Sequence, residues 1–246
     1  MPFKNIQIRF QTARSLPAPY ANFYTLTARP AFKDFLQVDF AITYPDREDI
    51  DEDELIAEGF SPDDDFSWSG RLPLLWQKAV TDLVDATKLA PFDEDVLDED
   101  DDFWEITIER PDGQTQKGMP ENVGDWQYLA QELIQATYES AKKELPFELT
   151  FIDRRREGET ELRLTALFAE RTVKAQSVQN KRSRTHTLSW AELQGLMSEI
   201  YAVEFDPDEA VYQKPRQDGA WLNLGGEEWY SLRPFPELIK LLSALV

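Results

Sequence analysis

The chain contains no cysteine. Disulfides, thiol nucleophiles and thiolate metal sites are therefore excluded. There is a single histidine, His186, so no paired-histidine zinc spacing is possible. It lies in Thr185-His186-Thr187, a strand-like setting where a surface or packing role is expected. The sequence also lacks a Gly-x-Ser-x-Gly elbow, a Gly-x-Gly-x-x-Gly fingerprint and a Walker A loop. Long apolar runs are missing too, and none approaches the roughly 18 residues that suggest a membrane span. Met1-Pro2-Phe3-Lys4-Asn5 carries no apolar signal core. A soluble, cytoplasmic protein with no cofactor is expected, and no membrane partner.

Positive charge is scarce and negative charge is abundant. The 246 residues hold 26 Lys+Arg and 47 Asp+Glu, a net charge of −21. The excess is local. Residues 1–150 carry 13 basic and 32 acidic groups, whereas residues 151–246 carry 13 and 15. Two runs dominate, Asp46–Glu54 and Asp93–Asp102. Such a charge repels nucleic acids and anionic membranes and favours basic partners or cations. Hydrophobic residues at 41% and aromatics at 12% argue for a packed core rather than wholesale disorder.

Periodicity divides the chain into strands and helices. Ile6, Ile8 and Phe10 alternate with polar residues, as do Leu36, Val38, Phe40, Ile42 and Tyr44. A further strand is expected at 23–28. Leu75, Trp76, Ala79, Val80, Leu83 and Val84 form a helical stripe. A strand at 104–108 and a turn at Arg110-Pro111-Asp112-Gly113 follow. The strongest helical pattern runs from Trp126 through Leu129, Leu133 and Thr137 to Ala141, with Asp125 as the expected cap. Beyond it come strands at 147–151, at 162–168 running on through Val173, and at 185–188. Ser189-Trp190-Ala191-Glu192 is a capping box that opens another helix. Short strands around Gly225-Gly226 and a closing helix from Phe235 complete the pattern.

This order predicts an α+β fold with mainly antiparallel sheets and about four helices. It reads as two similar β-β-β-α-β-β-α halves, residues 1–120 and 121–246, with one core or two. Counted from the helix at 125–143, the order is helix, three strands, helix, two or three strands, helix. That order resembles the fold of type III secretion chaperones, which are also acidic. The resemblance is one of element order and implies a fold alone.

The acidic runs have two readings. One is a docking surface for a basic protein, with carboxylates Asp49, Asp51, Asp53, Asp98, Asp100 and Asp102 beside the aromatics Trp68 and Trp104. Charge steers the encounter and buried aromatics supply binding energy. Phe60, Phe66, Phe92 and Phe103 also flank the runs. The other reading is divalent-cation binding, since alternating aspartates offer oxygen ligands. An EF-hand needs Gly at its sixth position and Glu at its twelfth, but counting from Asp93 these are Asp98 and Trp104.

Arg154, Arg155, Arg156, Arg163, Arg171, Lys174, Lys181, Arg182 and Arg184 form a basic stretch. Its phosphate-binding reading is opposed by the negative background, so nucleic acid is disfavoured. Self-association through the basic hairpin 154–184 is the third expectation. Forty-seven acids always offer pairs, so no carboxylate pair here points to glycosidase chemistry. The leading expectation is a non-catalytic accessory protein, chaperone-, adaptor- or immunity-like, that engages a basic partner. The alternative is a cation-dependent enzyme or sensor.

Overall fold

The structure is a computed structural model describing residues 2–91, 97–179 and 182–246. It is α+β, with two antiparallel sheets that belong to two compact units, Met1–Ala141 and Lys142–Val246. Among the described residues no helix is long and apolar enough to cross a membrane.

The first unit contains β1 (Asn5–Gln11), β2 (Phe23–Ala31), β3 (Phe35–Thr43), α1 (Glu52–Ala57), β4 (Phe66–Leu72) and α2 (Leu74–Ala86). It continues with β5 (Leu89–Ala90), β6 (Phe103–Glu109), β7 (Thr115–Pro120) and α3 (Val123–Ser140). The sheet order is β4-β3-β2-β1-β6-β7-β5. The register aligns one inward row across six strands, Trp68, Phe40, Leu26, Ile8, Ile106 and Gly118. Residues two apart on a strand share a face, so this row and its neighbours bury one side of the sheet. The helices α2 and α3 cover it with Trp76, Val80, Val84, Trp126, Leu129 and Leu133, all buried. Tyr138 of α3 stacks on Phe66, centroids 4.5 Å apart. Trp126 also donates from Nε1 to Thr87 Oγ1 at 2.9 Å, tying the end of α2 to the start of α3.

The opposite face of this sheet is polar. Glu105 is only 4% exposed there. Arg9 Nη1 lies 3.0 Å from one of its oxygens and Lys117 Nζ 2.8 Å from the other. Gly118 has its own structural reason. A Cβ there would collide with the carbonyl of Ala90, so glycine lets β5 close the sheet edge.

The second unit contains β8 (Phe147–Arg155), β9 (Gly158–Leu167), β10 (Thr172–Gln179), β11 (Arg182–Leu188), α4 (Trp190–Tyr201), β12 (Gly219–Asn223), β13 (Tyr230–Ser231) and α5 (Pro236–Ser243). Its sheet order is β11-β10-β9-β8-β12-β13. The inward row is Arg184, Ser177, Leu162, Phe151, Leu222 and Tyr230. The capping box at Ser189 forms as expected, with Ser189 accepting from the Glu192 N–H and the Glu192 carboxylate accepting from the Ser189 N–H.

Both units share one topology. Four strands form a meander, a helix follows, two strands add beside the first strand, and a helix closes the unit. The first unit inserts α1 and β5 into this plan. The expected halves had three strands before their first helix, and both gain a fourth. In the first unit the missed strand is β4. In the second, the single return strand expected at 162–173 is β9 and β10, joined by a turn in which Arg171 adopts φ 53°. The chaperone-like order is corrected in the same way, from three strands after α3 to four. Among the described residues there are five α-helices against the expected number of about four, the addition being α1. Asp125 is not the cap of α3. Asn122 holds that position without a side-chain bond to the helix backbone, and its Nδ2 instead donates to the Asp125 carboxylate at 3.1 Å.

Candidate protein-binding surface

In the first unit, β1 ends and β2 begins at the same end of the sheet, since Gln11 pairs with Phe23. Phe23 pairs with Thr43, Ile42 with Phe66, and Gln11 with Phe103. The connections β1–β2 and β3–β4 and the segment that enters β6 therefore lie at one pole. The first acidic run lies in the β3–β4 connection and the described part of the second lies just before β6. Segments 12–22, 44–65 and 97–102 together hold sixteen carboxylates against two arginines, Arg14 and Arg47.

Arg47 organises the first run from inside. It is 3% exposed. Its Nε and Nη2 donate to the Pro19 carbonyl at 3.2 and 2.7 Å, and its Nη1 donates to the Ser61 carbonyl at 3.1 Å. Nη1 also meets the Asp64 carboxylate. The guanidinium lies 3.9 Å from the Tyr44 ring centroid and 4.7 Å from that of Phe60. A planar fork suits this task, because it binds carbonyls and a carboxylate while stacking on rings. Asp64 accepts from the Ser61 N–H at 2.9 Å and Asp65 from the Tyr44 N–H at 2.9 Å. These bonds close both ends of the connection.

On this frame the remaining acids point to water. Asp49 ends a 3-10 turn, Arg47–Asp49, and is exposed. Asp51 caps α1 by accepting from the Asp53 N–H at 3.0 Å. Asp53 is exposed in the first turn of α1, where the helix dipole favours negative charge. Tyr20 donates to Glu58 at 2.9 Å, which raises the Tyr20 phenol above its usual range. Among the described residues, Arg47 is the only cation that ion-pairs with this segment.

The second run meets the same β1–β2 connection. Asp102 accepts from the Ala13 N–H at 2.8 Å, and Ser15 donates its N–H to the Glu99 carbonyl at 3.0 Å. Asp98 donates its N–H to Asp101 at 3.1 Å. Asp98, Asp100 and Asp102 are exposed. Phe92, Asp93, Glu94, Asp95 and Val96 lie outside the described residues. Residues 12–22 thus bracket both runs, through Pro19 and Tyr20 on one side and Ala13 and Ser15 on the other.

The two tryptophans differ. Trp104 is 4% exposed and packs against Phe10 at 4.9 Å and Tyr24 at 6.3 Å. It belongs to the core, not to the aromatic edge that the sequence suggested. Burial, and then the charge of Asp102, pushes the Tyr24 phenol well above its usual range. Trp68 is half-buried on β4, the outermost strand at that side of the sheet, and its ring lies over Gly70. On the other face of the same strands, Thr25, Thr27, Asp39, Ala41, Ser67 and Ser69 line an open groove of about 300 Å³.

Among the described residues no three Asp, Glu or His side chains are grouped as a metal site. Three arginines of the basic stretch are paired within their own sheet. Arg154 pairs with Glu159, Arg155 with Asp153 at 2.6 Å, and Arg163 with Glu161 at 2.5 Å. Lys214 reaches Glu161 at 2.5 Å and Glu159 at 3.6 Å. Burial pushes the Glu161 carboxyl up, but hydrogen bonds from Lys214 and Arg163 outweigh it and hold the carboxyl below its usual range. Arg171 lies over the Trp190 ring at 5.0 Å. Lys181 lies outside the described residues.

Sequence reasoning missed Arg47 and the common pole. The signal for Arg47 was present, as a lone cation in an acidic run with Tyr44 and Phe60 nearby. Comparison of the chain with protein-family models, with curated proteins and with solved structures finds no match.

Proposed function

We propose that this is a cytoplasmic, non-catalytic accessory protein that engages a basic partner through the acidic pole of its first unit. The observation that carries this reading is the convergence of both acidic runs on residues 12–22. A surface built this way presents many carboxylates from an anchored frame. Anchoring lowers the ordering cost that a mobile acidic loop would incur on binding. Clustered charge of one sign raises the encounter rate with a partner of opposite sign.

Asp49, Asp51, Asp53, Asp98, Asp100 and Asp102 form the charged contact set. Trp68, on the edge strand, is the accessible aromatic of the proposed set. Trp104 is buried against Phe10 and Tyr24 on the strand that follows the second run, so it supports that strand and does not meet the partner.

The test is partner capture by in-cell crosslinking. The full chain is compared with a variant carrying Asp49→Asn, Asp53→Asn, Asp98→Asn and Asp100→Asn. These four acids make no described side-chain bond that the frame needs. The reading expects a basic partner whose recovery falls with the variant and with added salt. Equal recovery from both chains would sink it.

A further inference from the structure

β11 is the outermost strand of the second sheet. It pairs with β10 along its whole length, from Val173 opposite Leu188 to Gln179 opposite Arg182. Among the described residues no strand pairs with its far side. An antiparallel strand turns alternate N–H and C=O pairs to each side, so this edge carries backbone donors and acceptors with no strand to meet them. All seven residues except Leu188 are exposed. The strand has no proline, one of the usual edge blockers.

The edge also has a sign. Arg182, Arg184 and His186 lie on one face, opposite Gln179, Ser177 and Ala175. Ser183, Thr185 and Thr187 lie on the other. Among the described residues no carboxylate pairs with Arg182 or Arg184, although Arg154, Arg155 and Arg163 of the same sheet are all paired. Residues 142–246 carry 15 basic and 17 acidic groups, against 11 and 30 in residues 1–141. Exposed charge is screened beyond about 8 Å at physiological salt. The arginines on the strand therefore decide what its edge holds.

Two occupants compete for such an edge. A second copy pairing antiparallel about Thr185 would set each Arg184 opposite a His186 and gather four arginines on one new strand pair, which like charges oppose. An extended segment with carboxylates at every second position would instead match Arg182 and Arg184 through the two-residue period of a strand.

We propose that β11 is an acceptor edge for an extended, acidic segment of a partner polypeptide, added as a seventh strand of this sheet. This is β-augmentation, in which main-chain bonds give affinity and alternate side chains give selectivity. The inference does not rest on the acidic-pole reading. It concerns the other unit and a ligand of the opposite charge.

The test uses the full chain and a labelled heptapeptide, Thr-Glu-Val-Glu-Thr-Glu-Val, read by fluorescence anisotropy. The edge should bind it and slow hydrogen exchange at the amides of 182–188. Methylating alternate peptide amides along one edge keeps the charges and removes the ladder donors, so binding should vanish. Arg182→Gln with Arg184→Gln should weaken binding about tenfold, as expected for two exposed charge pairs. Arg182→Lys with Arg184→Lys should retain most of it. Circular dichroism confirms that each variant folds.

No binding, equal binding of the methylated peptide, or exchange protection elsewhere would overturn the proposal. So would a concentration-dependent dimer that slows exchange at the amides of 182–188 in the absence of peptide, since the edge would then belong to a second copy.

Discussion

Replacing Arg47 by methionine tests how the acidic pole is built. Methionine keeps an apolar stem of similar length and removes every donor. The Pro19 carbonyl loses both of its N–H donors and the Ser61 carbonyl loses one. Each orphaned carbonyl costs about 1 kcal/mol, and the ring stacking about 1 more. Asp64 is 39% exposed, so water replaces much of its lost pairing and its share stays below about 1 kcal/mol. Losing the buried guanidinium also removes its desolvation cost, which offsets part of the sum. The net is about 2–3 kcal/mol, just below the range for breaking a fully buried ion pair.

The change is local, because Arg47 holds a connection and not the sheet. Opening of residues 46–65 should become about 30- to 150-fold more frequent. Native-state hydrogen exchange at the Tyr44 and Ser61 amides reads this directly, since Asp65 and Asp64 accept from them. Arg47→Lys keeps the charge but loses the fork, and should fall between the two. Exchange in the methionine variant within threefold of the parent would refute the reasoning.

Other consequences are simpler to measure. Gly118→Ala forces a Cβ against the Ala90 carbonyl and should cost about 1–3 kcal/mol in chemical denaturation, with β5 released. Thr87→Val leaves the buried Trp126 Nε1 without its acceptor and should cost about 1–3 kcal/mol, whereas Thr87→Ser should be nearly silent. Glu161 has a depressed carboxyl pKa in the folded state, so it adds stability above its unfolded value of about 4.5. That contribution is lost as pH falls below this value and through the lower folded pKa. Glu161→Gln should therefore flatten the acid limb of the second unit's stability curve. Millimolar calcium, magnesium or manganese should give no larger thermal shift than matched ionic strength, since only a ligand selective for the folded state raises stability further.

Much of the fold was legible because its strands and helices follow simple periods. β1 and β3 alternate without a break, and α3 keeps its apolar stripe for four turns. The losses have particular causes. β4 reads Phe66-Ser67-Trp68-Ser69-Gly70, an alternation truncated by a glycine that accommodates the Trp68 ring. β7 turns Gly118 and Pro120 inward, so it shows no apolar alternation at all. The β9–β10 turn uses Arg171 in the left-handed region, where a glycine or asparagine would have marked a break.

The strand count then mattered for the site. A meander reverses direction at every strand, so omitting β4 hides which end of the sheet a connection leaves from. The two acidic runs were visible as composition. Their meeting at residues 12–22 depends on long-range pairing, Gln11 with both Phe23 and Phe103, that no local pattern encodes. Trp104 was misplaced for a related reason. Adjacency to an acidic run in sequence said nothing of the inward face it shares with Phe10 and Tyr24.

The most direct test of the acidic pole is binding of a labelled lysine-rich peptide to purified protein, measured across a salt series. Three chains are compared: the parent, the pole variant with Asp49, Asp53, Asp98 and Asp100 as Asn, and a charge-matched control. The control carries Glu199→Gln, Glu204→Gln, Asp208→Asn and Glu209→Gln in the second unit. The account predicts that the pole variant loses most of the affinity and the salt slope while the control retains both. Equal loss in the two variants would mean that net charge alone attracts the peptide, and that the converged pole is not a binding surface.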